Sequence, residues 1–91
     1  MAFLITRIDV GDYDSWKPMF DQDQPGARAT AKGWRLFRGT ENRGEVFVQV
    51  EFDSVDEAKA ARERLLASGV LDRFEDRHGP VIVEESEAVT R

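Results

Sequence analysis

His78 is the only histidine in the sequence. An imidazole titrating near about 6.5 is the one side chain here suited to taking a proton as a general base at neutral pH. Next to Gly79 and Pro80, the same ring also fits a loop position, hydrogen-bonded to backbone or water. Tyr13, Trp16, Phe20, Trp34 and Phe74 form an aromatic set of the kind that grips a flat organic ligand. Their other reading is plain helix-to-sheet core. Two tryptophans in 91 residues favour a cleft, because a buried indole N–H needs a polar partner. Arg28 and Arg35 could hold an anionic or carbonyl oxygen, or pair with carboxylates such as Glu51. In an enzymatic arrangement His78 takes the proton while Trp16, Trp34 and Arg28 orient the ring and its oxygens. With one histidine, no cysteine and no calcium-loop or zinc spacing among the acidic residues, no metal site is expected. No cofactor is expected either, since the glycines stand singly at turns and form no phosphate cradle. Ser15, Ser54, Ser68 and Ser86 read as caps and ends rather than nucleophiles. Asp56-Glu57 and Glu84-Glu85 read as solvated charges at a helix start and a strand end.

These side chains can converge only around the clearest element of the chain, a hairpin over 33–38 and 45–52. Val46, Val48, Val50 and Phe52 share one side of its second arm, and Phe47, Gln49 and Glu51 the other. Gly39 to Gly44 supply the loop between the arms. Residues 2–8 alternate into a strand that is apolar on both sides, Phe3 and Ile5 against Leu4 and Ile8. Val10-Gly11-Asp12 breaks it, and Asp14 or Ser15 is expected to cap a helix with Pro18 in its first turn. Tyr13, Trp16 and Phe20 line one face of that helix. It either ends at Pro25-Gly26 or restarts through residues 27–29 and stops at Gly33. Ser54 and Glu57 make a capping box for a second helix with a buried stripe of Val55, Ala58, Ala61, Leu65 and Leu66. Gly69 closes it, Val70 to Phe74 form an extra turn that returns Leu71 and Phe74 to the core, and residues 81–85 form the last strand.

The order strand, helix, strand, strand, helix, strand predicts an α+β, ferredoxin-like sandwich, with a four-stranded antiparallel sheet and both helices on one face. Residues 1–91 make a single domain. At 41% hydrophobic and 34% charged the composition is that of an ordinary globular chain. The absence of cysteine, signal-like N-terminus and membrane-length apolar run fits a cytoplasmic protein with no membrane partner. A net charge of −5 with scattered arginines argues against nucleic acid. Helices on one side leave Phe37, Phe47 and one apolar side of the first and last strands facing water. At about 25 cal/mol per Å² that exposure is costly for a small domain, which predicts a homodimer through the helix-free sheet face.

Asp12-Tyr13-Asp14-Ser15-Trp16-Lys17, Phe20-Asp21, Arg28, the aromatic hairpin and Ser54-Val55-Asp56-Glu57-Ala58 together resemble the dimeric α+β barrel superfamily. The likeness is nearest to its small members related to antibiotic biosynthesis monooxygenases. It covers the whole chain in element order and is specific for fold rather than activity. The resemblance implies two such domains pairing into a dimeric α+β barrel, with a ligand cleft between sheet and helices of each subunit. It implies activities ranging over cofactor-independent monooxygenases, cyclases of polyketide-like aromatic substrates, haem-degrading enzymes and ligand-sensing domains. The haem-degrading members use an Asn late in the first strand and a Trp on the second helix. Here that strand carries Thr6 and Arg7, the only Asn is Asn42, and the second helix lacks Trp, which argues against haem degradation. Two readings stay open. One is a small-molecule protein with an aromatic cleft lined by Tyr13, Trp16, Phe20, Arg28, Trp34 and Phe74, with His78 as the catalytic candidate. The other is a non-catalytic dimeric module whose aromatics fill a packed core.

Overall fold

The computed structural model describes Met1 to Arg91. Its elements are β1 (Ala2–Asp9), α1 (Tyr13–Gln22), β2 (Gly33–Arg38), β3 (Glu45–Phe52), α2 (Val55–Ala67) and β4 (Arg77–Glu84). The strands form one antiparallel sheet in the order β2-β3-β1-β4. This is the expected βαββαβ order of a ferredoxin-like sandwich. No helix is long and apolar enough to cross a membrane.

Register settles which side of each strand is covered. Ala2, Leu4, Thr6 and Ile8 stand opposite Phe52, Val50, Val48 and Val46, and all eight are buried. Burying each larger apolar side chain in this row contributes about 1.5–3 kcal/mol, so the row is the main source of core stability. The opposite face carries Phe3, Ile5 and Arg7 across from Glu51, Gln49 and Phe47. Sequence alternation left the face of β1 undecided because both of its sides are apolar. The pairing with the valine row decides it.

β4 begins at Arg77, earlier than the expected residue 81, because Arg77 and His78 pair with Ile8 and Arg7. Between the pairs Ile5–Val81 and Arg7–His78, two residues of β4, Gly79 and Pro80, oppose the single residue Thr6. This is a β-bulge, which bends the strand beside the middle of the sheet. Gly79 has φ +87°, and a Cβ there would lie 2.6 Å from the carbonyl oxygen of Ile5. The bulge therefore requires glycine on two counts.

α1 is capped two residues before Asp14 and three before Ser15, the expected caps. Asp12 is its N-cap: its carboxylate accepts from the Asp14 N–H at 3.1 Å and from the Ser15 hydroxyl at 2.8 Å. Pro18 consequently lies beyond the first turn, on the exposed side, where water can satisfy the carbonyl it leaves free. The helix ends at Gln22. Asp23, in the left-handed region at φ +46°, donates its N–H to the Phe20 carbonyl, and residues 27–30 form turns rather than a renewed helix. In α2 the Ser54 hydroxyl accepts from the Glu57 N–H at 3.2 Å, but the return half of the capping box is absent: Glu57 Oε2 is occluded and unpartnered. Ala58 and Ala61 are fully buried, whereas Leu66, expected in the stripe, is 46% exposed. It lies five residues past Ala61, about 140° round the helix, and so faces away from the sheet.

Small side chains bring α2 close to β1, β3 and β4. No Cα of α1 comes within 8 Å of any strand. Trp16 and Phe20, with ring centroids 5.0 Å apart, hold α1 off the sheet.

Two measurements test these local assignments. Gly79→Ala should lower unfolding free energy in urea by about 2 kcal/mol or more, and wild-type stability would contradict the account of the bulge. The Asp12 carboxyl is held below the ordinary aspartate range, first by the Ser15 hydroxyl and also by backbone N–H groups. A depressed folded-state pKa contributes stability that is present above the unfolded value, about 4, and lost as pH falls through the folded one. Asp12→Ala should therefore melt below wild type at neutral pH, with the gap narrowing as pH falls below about 4. A gap independent of pH would contradict the cap.

Candidate functional site

The space under α1 is a cavity of about 160 Å³. Its floor is the covered sheet face, Leu4, Thr6, Ile8, Val48 and Val50. Trp16, Met19 and Phe20 of α1 form its roof, and Leu65, Val70, Leu71 and Phe74 close one side. The turn after α2 places those last residues: Asp72 N–H donates to Gly69 and Phe74 N–H to Leu71, which carries Leu71 into the core at 6% exposure.

The remaining wall is the segment from Gln22 to Arg28, shaped by Asp23. Its carboxylate accepts from the backbone N–H groups of Ala27 at 3.2 Å and Arg28 at 3.0 Å. The Arg28 side chain folds back over the same segment. Its Nε lies 3.6 Å from Asp23 Oδ1, and its Nη2 donates to the Phe20 carbonyl. The guanidinium is flanked by the Phe20 ring at 3.7 Å and the Trp34 ring at 4.6 Å. Burial pulls the Arg28 pKa down, opposed by the nearby charges of Asp23 and Asp21. An arginine starts so far above neutrality that it remains a cation. Aromatic faces stabilise such a partly desolvated cation.

Of the residues picked out in the sequence, Trp16, Phe20, Arg28 and Phe74 meet at the cavity. Trp34 stands on the covered face of edge strand β2, opposite Val50, and reaches the site only through Arg28. Tyr13 packs on Trp16 at 5.8 Å and lies under Arg38 at 4.1 Å, beyond the cavity wall. His78 does not face in. The bulge sets it opposite Arg7, on the helix-free face, where it is exposed. Arg35 lies on that face too, opposite Gln49 and two pairs from Glu51.

Met19 and the floor residues were not among the sequence candidates. Strand parity could have found Val48 and Val50, which lie on the valine row. It could also have found Thr6, the one polar residue in phase with Ala2, Leu4 and Ile8.

The helix-free face has its own pattern. Phe3, Ile5, Phe37, Phe47, Val81 and Val83 share it, with Phe37 48%, Phe47 38% and Val81 49% exposed. At one end Arg7 bridges Glu45 at 2.6 Å and Asp76 at 2.5 Å. Those two carboxylates, Asp76 foremost, raise its pKa.

No protein-family model matches the chain, and no curated protein matches it.

Proposed function

We propose that this chain is a small-molecule-binding protein that takes a single-ring, largely apolar ligand under α1 and works as a homodimer. The observation that carries the reading is the open cavity of about 160 Å³ between the aromatic side chains of α1 and the valine row. An apolar cavity of about 150 Å³ is enough to bind benzene, whereas sites for drug-sized ligands begin near about 300 Å³. The size favours one ring over a polycyclic, polyketide-like substrate. Trp16, Phe20 and Phe74 supply the aromatic contacts, and Arg28 ties the wall to Phe20 of the roof through its carbonyl and its ring.

The reading is of binding first. With His78 on the other face, the titratable side chains lining the cavity are Asp23 and Arg28, both committed to holding the wall. Cofactor-independent oxygenase or cyclase chemistry at this site would depend on the reactivity of the ligand itself.

The dimer reading rests on the helix-free face. Its apolar side chains are too many to leave wet in so small a domain. The 36 and 32 Å extents of the molecule provide room for the ~800 Å² per partner of a stable interface. A two-fold axis through this face would stack two sheets and bury Phe37, Phe47 and Val81 together.

Titration with toluene, followed by Trp fluorescence or calorimetry, is expected to show one site per chain. Val48→Phe should abolish binding by filling the floor while the protein still melts cooperatively. An unaltered affinity in that variant would place the ligand elsewhere. Light scattering on a size-exclusion column should give twice the chain mass, and Val81→Glu should shift it to the monomer. Val81 is half-exposed in the single chain, so this change spares the subunit fold. A wild-type monomer at micromolar concentration would overturn the dimer.

A further inference from the structure

The cavity is not uniformly apolar. Besides the polar wall from Gln22 to Arg28, two neutral polar groups stand on its floor and roof residues, Thr6 and Trp16. Thr6 is 5% exposed and Trp16 is 8% exposed, so both are more than nine-tenths buried. Neither the Thr6 hydroxyl nor the Trp16 indole N–H has a hydrogen-bond partner within the chain. Neither is sealed against apolar atoms: the occluded, unpartnered side-chain atoms of the molecule are Glu57 Oε2 and Arg77 Nη1. Both residues line the cavity, Thr6 in the floor and Trp16 in the roof. Groups that stay reachable in an otherwise apolar space take their hydrogen bonds from whatever fills it, water or the polar atom of a ligand.

The chemistry of the pair narrows that partner. An indole N–H only donates, and a threonine hydroxyl can donate or accept. A ligand atom that satisfies the indole, and one that satisfies the hydroxyl as donor, is an acceptor, and the surrounding leucine, isoleucine, valine and phenylalanine side chains disfavour a full charge. The bulge in β4 falls opposite Thr6, at the one point of β1 where regular pairing to β4 lapses. Bulges of this kind re-aim side chains next to functional sites.

Resting on the reading of the cavity as a ligand site, we propose that Thr6 and Trp16 supply the polar contacts that read a neutral oxygen on the ring, so that the ligand class is a phenol or a small cyclic ketone rather than a bare hydrocarbon. Thr6 is then the specificity-determining residue of the floor, and the apolar lining supplies affinity without discrimination.

Phenol and toluene have nearly the same size and differ in the oxygen, so they separate the two claims. In Thr6→Val, which keeps the shape and the β-branch, phenol affinity should fall by about tenfold while toluene affinity stays within about twofold. Thr6→Ser, which keeps the hydroxyl, should retain most of the phenol affinity. If both probes bind the wild type and Thr6→Val changes neither, the polar reading is overturned while the cavity stands as a ligand site. If neither probe binds the wild-type protein, the ligand-site reading fails and this inference with it. Should Thr6→Val fail to fold, loss of the phenol preference must appear in Trp16→Phe, and its persistence there overturns the proposal.

Discussion

The separation between α1 and the sheet is the constraint on which the site depends. α2 meets the strands through Ala58 and Ala61, whose lack of bulk lets two backbones come close. α1 meets them through Trp16 and Phe20, and large rings set a larger spacing. Side chains projecting from a helix at intervals of three and four residues cannot fill all of the layer they prop open. Leu71 and Phe74, returned by the turn after α2, close one side of it, and the rest is cavity. The asymmetry between two helices on one sheet face is thus a matter of side-chain volume at a handful of positions.

A propped helix needs its ends fixed, and both ends of α1 are fixed by aspartates. Asp12 gathers a backbone N–H and a hydroxyl at the N-terminus, where a carboxylate also suits the helix dipole. Asp23 ends the helix in a left-handed turn and holds the following segment by two backbone N–H groups. Arg28 ties that segment back to Phe20 through its carbonyl and its ring. These contacts are polar and local, and they rigidify the wall of a cavity whose lining is apolar. The arrangement suits preorganised binding, in which little ordering remains to be done when a ligand enters.

Much of the fold was legible because it is written as alternation and punctuation. The hairpin runs from Gly33 to Arg38 and Glu45 to Phe52 as expected, since the valine row and the glycine-bounded loop leave no competing register. Ser54 caps α2 as its spacing predicted. Other features were hidden for physical reasons. A strand apolar on both sides cannot announce its covered face, so β1 waited on its partner. His78-Gly79-Pro80 has the composition of a loop, yet it enters the sheet as a bulge and carries His78 to the opposite face. Asp12, Asp14 and Ser15 are all competent caps, and only the geometry of the chain leaving β1 selects the first. The aromatic set was found, and Trp16, Phe20 and Phe74 converge as expected. The cavity between them was not legible, because empty space is a property of packing and belongs to no residue. Thr6 was passed over for the related reason that one hydroxyl in an apolar strand looks like noise until the space before it is seen.

The two faces of the sheet then carry two roles. The covered face bears the cavity, and the helix-free face carries an apolar surface on which Phe37, Phe47 and Val81 stand exposed. The claim on which the ligand site rests is that ring-sized space stays open beneath α1. A crystal of the protein soaked with iodobenzene tests it directly through the anomalous signal of iodine. The account predicts one strong iodine peak per chain between Trp16, Phe74 and the Val48–Val50 floor, with α1 at its distance from the sheet. Iodine absent from that space, with Trp16 or Phe20 collapsed onto the valine row, would contradict it.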